Sequence, residues 1–321
     1  MNDIWDRRRF IKRMGIAGAG AAGAGAIGVF ARDDGVRETT KQAAVQSLPD
    51  FTKGIGAGPS DFFIGRGEPA TATDEAIRGL GGMSRFVKAG ETVVIKPNVA
   101  WDRTPLQAAN TNPLVVAALI DACLRAGAKR VVVTDNSCND ARRCFTRSGI
   151  WKAVENAGGE VVLPDEHRFV LRDLGGVLGE VPVLSPVIEA DRFINVAIAK
   201  HHSLAKFTGA MKNLYGVIGG RRNRHHQRID DSIADLATAI RATLSVVDAT
   251  RVLLRNGPQG GDLSDTKAVG EVIAALNPVA VDAYACTLIG LTPGELSYLT
   301  IGEERGLGRI DSGAVDPEEQ S

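Results

Sequence analysis

A cluster of cationic and imidazole side chains follows one apolar run of this chain, and its residue types could bind an anion or transfer a proton. The apolar run covers residues 192–199, and the side chains that follow it are Lys200, His201, His202 and Lys206. A lysine held in a dry crevice can act as a base or a nucleophile, whereas a charged lysine simply binds an anion. We expect the anion-binding role here, with the histidines as candidate acids, bases or metal ligands.

A second histidine pair, His225 and His226, raises the alternative of a metal site. Four imidazoles would satisfy a metal by number, but their spacing matches no recognised zinc motif. The second pair is also surrounded by arginines that would repel a cation: Arg221, Arg222, Arg224 and Arg228. An exposed basic loop is therefore favoured over a metal site at these histidines, although the sequence leaves metal binding open.

The elements that must position these side chains follow an α/β pattern. Pro113 suits the first turn of a helix, Gly127 stands where that helix should stop, and an apolar strand is predicted at residues 130–134. A strand at residues 92–95 comes before them, and strand, helix, strand in this order predicts a parallel sheet.

The remaining elements extend the same pattern. Further strands are predicted at 160–163, 192–199, 244–247 and 269–276, and helices at 73–79, 204–218, 230–242, 278–289 and ending near 157. The predicted fold class is α/β, a mainly parallel sheet with helices on both faces and a small antiparallel excursion near residues 168–190. The predicted domain boundaries are a linker at 32–59, a single α/β domain at 60–310 and a polar tail at 311–321.

Polar side chains follow directly after several of these strands, where the carboxyl ends of parallel strands share one edge. Such an edge commonly forms the ligand crevice of an open α/β sheet. The candidate catalytic residues are Lys200, His201, Asp135 and Asp248, and the candidate ligand-binding residues are Lys96, Asn98, Asn136, Lys212, Asn213 and Asn256. Cations, amides and carboxylates together suit a phosphate or carboxylate ligand, with or without a divalent metal. The alternative is that each is an ordinary loop residue, and that Lys212 points outward from its predicted helix.

The first 31 residues have the parts of an export signal in order. Arg7 and Arg8 are followed by Phe10 and Ile11, and then by a weakly apolar run at 15–30. Val29 and Ala31 occupy the small-residue positions expected before a cleavage point. This start resembles the twin-arginine signal, with Asp6 in place of the usual Ser or Thr. The resemblance implies transport of the folded chain by the twin-arginine translocation machinery to the periplasm or cell envelope, with cleavage after Ala31. The run is too short and too weakly apolar for a membrane span. A disordered basic N-terminus is the alternative.

Composition excludes some classes of function. Without the leader the chain keeps 33 basic and 36 acidic residues, a net charge of −3, which disfavours nucleic-acid binding. The four cysteines contain no C-x-x-C pair, so no self-contained iron-sulfur cluster or zinc ribbon is expected, and other cofactors stay unassigned. Cys138 and Cys144 could form a disulfide in an oxidising compartment or stay as two thiols.

Several blocks of the chain, in order, resemble the Domain of Unknown Function 362 family. They are VVIKPNV at 93–99, TNPLVVAALIDACLRAGAKRVVVTDNS at 111–137, INVAIAKHHSLAKFTGAMKNLYGVIGG at 194–220, IRATLSVVDA at 240–249, NGPQGG at 256–261 and LNPVAVDAYACTLIGL at 276–291. The resemblance extends over residues 90–310 and includes Asp282, which could instead have a structural role in a helix. Some members carry an added ferredoxin-type segment whose cysteines this chain lacks.

Two functional hypotheses follow from the sequence. The first is an exported enzyme with a polar crevice for a small anionic ligand. The second is a non-catalytic envelope binding protein, or a partner subunit of a redox complex that carries the iron-sulfur cofactor in another chain.

Overall fold

An eight-stranded mixed sheet organises residues 48–311, the part of the chain that the computed structural model describes. Its strands are β1 (Phe62–Arg66), β2 (Thr92–Pro97), β3 (Arg130–Val133), β4 (Glu160–Val161), β7 (Arg192–His202), β8 (Lys206–Thr208), β9 (Leu244–Leu253) and β10 (Thr266–Ala275). A separate antiparallel pair joins β5 (Phe169–Asp173) to β6 (Glu180–Leu184). The predicted signal at 1–31 and residues 312–321 lie outside the described range.

The strand order is β1-β10-β9-β7-β2-β3-β4, with β8 paired to the end of β7. The block from β9 to β4 is parallel, whereas β1 and β10 run antiparallel at one edge. The parallel block confirms the prediction of a mainly parallel sheet, and the β5–β6 pair confirms the small antiparallel excursion near residues 168–190. The parallel block brings the carboxyl ends of β2, β3 and β7 to one edge.

Nine α-helices accompany the strands in the described residues. They are α1 (Pro69–Gly79), α2 (Pro113–Arg125), α3 (Ala141–Arg147), α4 (Ile150–Asn156), α5 (Ser185–Ile188), α6 (Ala210–Asn213), α7 (Ile229–Ala239), α8 (Pro278–Thr287) and α9 (Ser297–Glu304). Helix α2 starts as its sequence predicts, because Asn112 accepts a hydrogen bond from the Leu114 amide and Pro113 occupies the first turn. Among the helices of residues 48–311, none has the length and apolarity needed to cross a membrane.

Helices cover both faces of the sheet, and alternate strand residues enter two separate cores. Val93 and Ile95 of β2 pack in the core beneath α1 and α2, whereas Val94 packs in the core formed with α7, α8 and α9. This period of two is the expected geometry of a strand buried on both faces.

The prediction of one helix across residues 204–218 is wrong. The chain forms a hairpin from β7 to β8, then the single turn of α6, then a 3-10 helix at Leu214–Val217. Lys206 takes a positive φ of 60° at this hairpin, a conformation that a continuing helix does not allow.

Two further boundaries differ from the sequence pattern. Strand β9 continues past Asp248 to Leu253, so Asp248 lies inside the strand rather than after it. Phe51 falls within the predicted linker, yet it is buried with its ring 5.7 Å from that of Phe193. The packed chain therefore begins before Ser60.

Candidate functional site

A cavity of about 80 Å³ opens at the carboxyl ends of the parallel strands. Its walls come from the ends of β2 and β7, from the loop after β3, and from α6 with the turn behind it. Four cationic side chains line it: Lys96, Lys200, Lys212 and Arg222. The acidic residue that lines it is Asp135. Cations therefore outnumber carboxylates, which favours a negatively charged ligand.

Lys96 and Asp135 form the paired centre of the cavity. The Lys96 Nζ lies 2.8 Å from Asp135 Oδ1, an ion pair without hydrogen-bond alignment, and donates to the Pro97 carbonyl oxygen at 2.8 Å. Asp135 Oδ2 accepts from the Val99 amide at 2.7 Å. Burial lowers the pKa of Lys96, and the Asp135 charge opposes that effect. Lys96 is thus held by protein groups, which indicates a positioning role.

A ladder of asparagines, two of which line the cavity, ties the end of β2, β7 and α6 together. Asn213 Oδ1 accepts from Lys96 Nζ and from Asn98 Nδ2, each at 3.0 Å. Asn213 Nδ2 donates to Asn195 Oδ1 at 2.8 Å. Sequence reasoning missed Asn195, although a lone amide inside an apolar strand is a signal that could have found it.

Lys200 is a buried amine with spare hydrogen-bonding capacity. Its Nζ donates to Asn98 Oδ1 at 3.1 Å and to the Ala109 carbonyl oxygen at 2.5 Å. Two of its three donor positions are therefore used. Burial lowers the pKa of Lys200 to about 7, so this amine changes charge near neutral pH.

Lys212 is the cation of the cavity that has neither a counter-charge nor a hydrogen-bond acceptor among the described residues. It is 8% exposed and makes no hydrogen bond or ion pair with the described residues, and its Nζ lies 4.3 Å from the centroid of the Tyr215 ring. That contact is a cation–π interaction, which leaves the three N–H donors unused. Burial lowers the pKa of Lys212 to about 8.

Arg222 and His202 are two further polar residues of the lining. The sequence pattern places His202 in the Lys/His cluster, whereas it places Arg222 in an exposed basic loop. The Arg222 guanidinium donates to the Asn136 carbonyl oxygen at 2.8 Å and forms no ion pair within residues 48–311. His202 Nδ1 accepts from two backbone amides, Leu204 at 3.1 Å and Ala205 at 3.2 Å. Burial, with the charges of the neighbouring lysines, lowers the pKa of His202 to about 2, so its neutral ring carries the proton on Nε2.

The structure brings together seven of the ten candidate residues at the cavity. They are Lys96, Asn98, Asp135, Asn136, Lys200, Lys212 and Asn213. His201, Asp248 and Asn256 do not line it. Since successive strand residues point to opposite faces, Lys200 and His202 share one side of β7 and His201 faces away.

The three outlying candidates have partners elsewhere. His201 Nδ1 accepts from the Gly257 amide at 3.1 Å, and Asn256 Nδ2 donates to Asp265 Oδ2 at 2.8 Å. Asp248 accepts from the Asn112 amide at 2.7 Å and from the Thr250 hydroxyl at 2.7 Å. These contacts hold loops and the start of α2, which indicates structural roles.

One glycine makes room for the buried ion pair. A Cβ on Gly216 would lie 1.8 Å from Asp135 Oδ1 and 2.8 Å from Lys96 Nζ, well inside van der Waals contact. The backbone after α6 therefore approaches the pair as closely as only glycine permits.

Metal ligands are not clustered in the described part of the chain. Among residues 48–311, no three His, Cys, Asp or Glu side chains lie close enough together to hold an ion. All four cysteines are free thiols; Cys144 is buried and Cys138 is exposed.

The fold and the site define a mixed α/β protein with a cationic cavity at the carboxyl ends of its parallel strands. The chain belongs to the family described as Domain of unknown function (DUF362), whose model matches residues 93–287. That range contains every lysine of the cavity.

Comparisons with individual proteins give more distant similarities. The thylakoid-associated protein sll1697 of Synechocystis sp. is 26% identical over 236 residues, which are 71% of this chain and 72% of that protein. The lactate racemase apoprotein from Thermoanaerobacterium thermosaccharolyticum aligns with 75% of this chain at 15% identity and a TM-score of 0.41. A protein from Thermotoga maritima aligns with 74% of it at 13% identity and a TM-score of 0.39. This chain spans 58% of the racemase chain and 60% of the Thermotoga chain.

Proposed function

We propose that the cavity binds a small anion bearing a phosphate or carboxylate group. The observation that carries this proposal is Lys212, a buried cation with no counter-charge among the described residues. An ammonium removed from water without a partner is costly, and a bound anion would supply the missing charge and hydrogen-bond acceptors. The cavity volume of about 80 Å³ favours a compact ligand.

The site further supports an enzymatic role in which Lys200 transfers a proton. Its amine has a pKa near 7, one unused donor position and a place in the same cavity as Lys212. A group with a pKa near the working pH is the most effective acid or base. Lys212 and Arg222 would bind the anion. Lys96 and Asp135 would hold the adjoining wall of the cavity in position, and Lys200 would exchange a proton with the ligand.

Isothermal titration calorimetry tests the binding proposal with inorganic phosphate, sulfate and a series of short mono- and dicarboxylates. We expect at least one anion to bind, and the variant Lys212→Met to weaken it by roughly 10- to 100-fold, the value of one charged hydrogen bond. Lys206→Met is the matched control, because Lys206 is exposed and donates to the Glu295 carbonyl oxygen instead of lining the cavity.

Absence of binding by every anion, or equal losses in the two variants, would overturn the binding proposal. The variant Lys200→Met then distinguishes an enzyme from a non-catalytic binding protein. Lys200→Met should abolish turnover of the identified ligand in an enzyme, whereas a binding protein has no turnover to lose. A redox partner subunit would instead co-purify with a chain that carries a cofactor.

We also propose that the chain is exported through the twin-arginine pathway and cleaved after Ala31. The order of the basic pair, the weakly apolar run and the small residues before position 32 supports this proposal. Replacing Arg7 and Arg8 together by Lys should leave uncleaved precursor in the cytoplasm. Cell fractionation and N-terminal sequencing check this, and a mature start far from Arg32 would contradict the cleavage site.

A further inference from the structure

The cationic cavity contains a thiol to which the proposed binding function gives no role. Cys138 follows β3 in the loop that forms one wall, and its amide donates to the Ala100 carbonyl oxygen at 2.9 Å. Of the four cysteines in the chain, all of them within the described residues, Cys138 alone is exposed. Cys138 is therefore an exposed, thiol-bearing residue in the lining of the cavity.

The other three cysteines are protected in the folded protein. Cys123, Cys144 and Cys286 are each fully buried side chains in the two cores. Burial raises the pKa of Cys123 to about 12, of Cys144 to about 11 and of Cys286 to about 12. Because the thiolate is the reactive form of cysteine, these three should be inert toward electrophiles at neutral pH.

Two buried amines, those of Lys200 and Lys212, line the same cavity as Cys138. Lys212 is also unpaired and nine-tenths buried in the same cavity. The thiol therefore shares its space with an ammonium that is free to hold an anion.

We propose that Cys138 is a covalent site for small anions that carry an electrophilic carbon with a leaving group, an inference that rests on the proposed anion-binding function. Lys212 holds the anionic group while the sulfur faces the carbon. The thiol gives its proton to solvent or to the neutral Lys200 amine, and the sulfur forms a bond to the carbon. The leaving group departs with the electron pair of the bond that breaks.

A pair of alkylating reagents of nearly equal size tests this inference on the purified full chain. Iodoacetate carries a carboxylate and iodoacetamide is neutral, and both transfer a two-carbon group to sulfur with loss of iodide. We expect the ratio of their rates at Cys138 to exceed the ratio for N-acetylcysteine by roughly tenfold or more, the lower range for electrostatic steering into a charged cleft. Intact-mass kinetics and peptide mapping provide the rates and the modified position.

Three variants distinguish the contribution of the Cys138 sulfur from that of the surrounding cations. Cys138→Ser should abolish modification of the folded chain, and Lys212→Met should return the rate ratio to that of N-acetylcysteine. Lys206→Met, which removes an exposed lysine outside the cavity, should leave the ratio unchanged. Inorganic phosphate should slow iodoacetate more than iodoacetamide, because it competes for the same cations. Circular dichroism confirms that each variant is folded.

The inference is overturned if the wild-type ratio equals that of N-acetylcysteine, or if another cysteine reacts at a comparable rate. Its failure is distinguishable from failure of anion binding. Calorimetric binding of phosphate without a raised rate ratio refutes the covalent site alone. A raised ratio without binding of any anion in the calorimeter refutes the proposed function and leaves the reactive thiol.

Discussion

At the scale of single residues, Lys200 and Lys212 make stability and anion binding respond to pH in opposite directions. Their pKa values are about 7 and about 8 in the folded chain, against 10.5 for a free lysine. Between those values the unfolded chain binds more protons than the folded chain, so the free energy of unfolding should rise with pH. Anion affinity should fall over the same range, since the amines lose the charge that binds the ligand.

Urea denaturation of the ligand-free protein from pH 7 to 9.5 checks the first part, and calorimetry with phosphate checks the second. Lys212→Met should flatten both curves. Titration of Asp282 does not explain a change in stability between pH 7.5 and 9.5. Burial raises the pKa of Asp282 to about 7, so the stability that this group contributes is lost as pH rises from about 4 to 7. A stability that falls between pH 7.5 and 9.5 would contradict the burial of the two amines.

Gly216 gives a second prediction at the residue scale. Gly216→Ala should push the turn away from Asp135 and Lys96, because its Cβ would overlap Asp135 Oδ1. We expect a loss of stability of about 1–3 kcal/mol, typical of forced overpacking, together with weaker phosphate binding. Thermal unfolding and calorimetry measure the two effects. Gly294→Ala is the control, since no heavy atom lies within 4 Å of its added Cβ.

At the scale of elements, the short helix α6 depends on a carboxylate from another helix. Asp282 of α8 accepts from the Ala210 amide at 2.5 Å and from the Met211 amide at 3.0 Å, which satisfies the first turn of α6. Asp282→Asn would turn one acceptor into a donor that faces an N–H group. It should cost about 1–3 kcal/mol of stability, and anion affinity should fall because α6 carries Lys212.

The matched control for that prediction is Asp262→Asn. Asp262 also accepts from a backbone amide, that of Ser264 at 2.9 Å, but it lies in an exposed loop. Urea denaturation should show a clearly smaller loss for Asp262→Asn than for Asp282→Asn. Equal losses would mean that the contact with α6 has no special importance.

The same helix shows why part of the fold could be predicted from sequence and part could not. The parallel strands and α2 follow local signals, such as Pro113 at a helix start and Gly127 at its end. The segment 204–218 has a helical pattern, but its α6 turn is capped by Asp282, which is 72 positions away from Ala210. No local pattern could reveal that partner.

The candidate site likewise contains some residues that the sequence pattern predicts and others that depend on the folded structure. Lys96, Asp135 and Lys200 could be predicted because polar residues at the carboxyl ends of parallel strands share one edge. Strand β7 was predicted to end before Lys200, but it continues to His202, and its alternation places His202 rather than His201 at the cavity. Asp248 became a candidate only because β9 was predicted to end before it. Arg222 begins a 3-10 helix and Cys138 lies in the loop after β3, and the paths of both segments depend on tertiary contacts.

At the scale of the whole molecule, the segment before β1 belongs to the packed structure. Phe51 is buried in the core with α7 and α8, and its carbonyl oxygen accepts from the Thr243 hydroxyl at 3.0 Å. The Lys53 carbonyl oxygen accepts from the Arg192 guanidinium at 2.6 Å, at the start of β7. Cleavage after Ala31, as proposed, would keep these contacts in the mature chain.

Shortening the chain from its start therefore gives the last prediction. A chain beginning at Leu48 keeps Phe51 and should retain most of its stability, whereas a chain beginning at Ser60 loses Phe51 and the Lys53 contact. Phe51→Ala in the chain of residues 32–321 should cost about 3–5 kcal/mol, the usual value for a buried phenylalanine, and the Ser60 start at least as much. Urea denaturation of the three chains measures these differences. Equal stability of the Leu48 and Ser60 starts would show that the domain begins where the sequence pattern places it, and that the segment joining it to the leader contributes nothing to the fold.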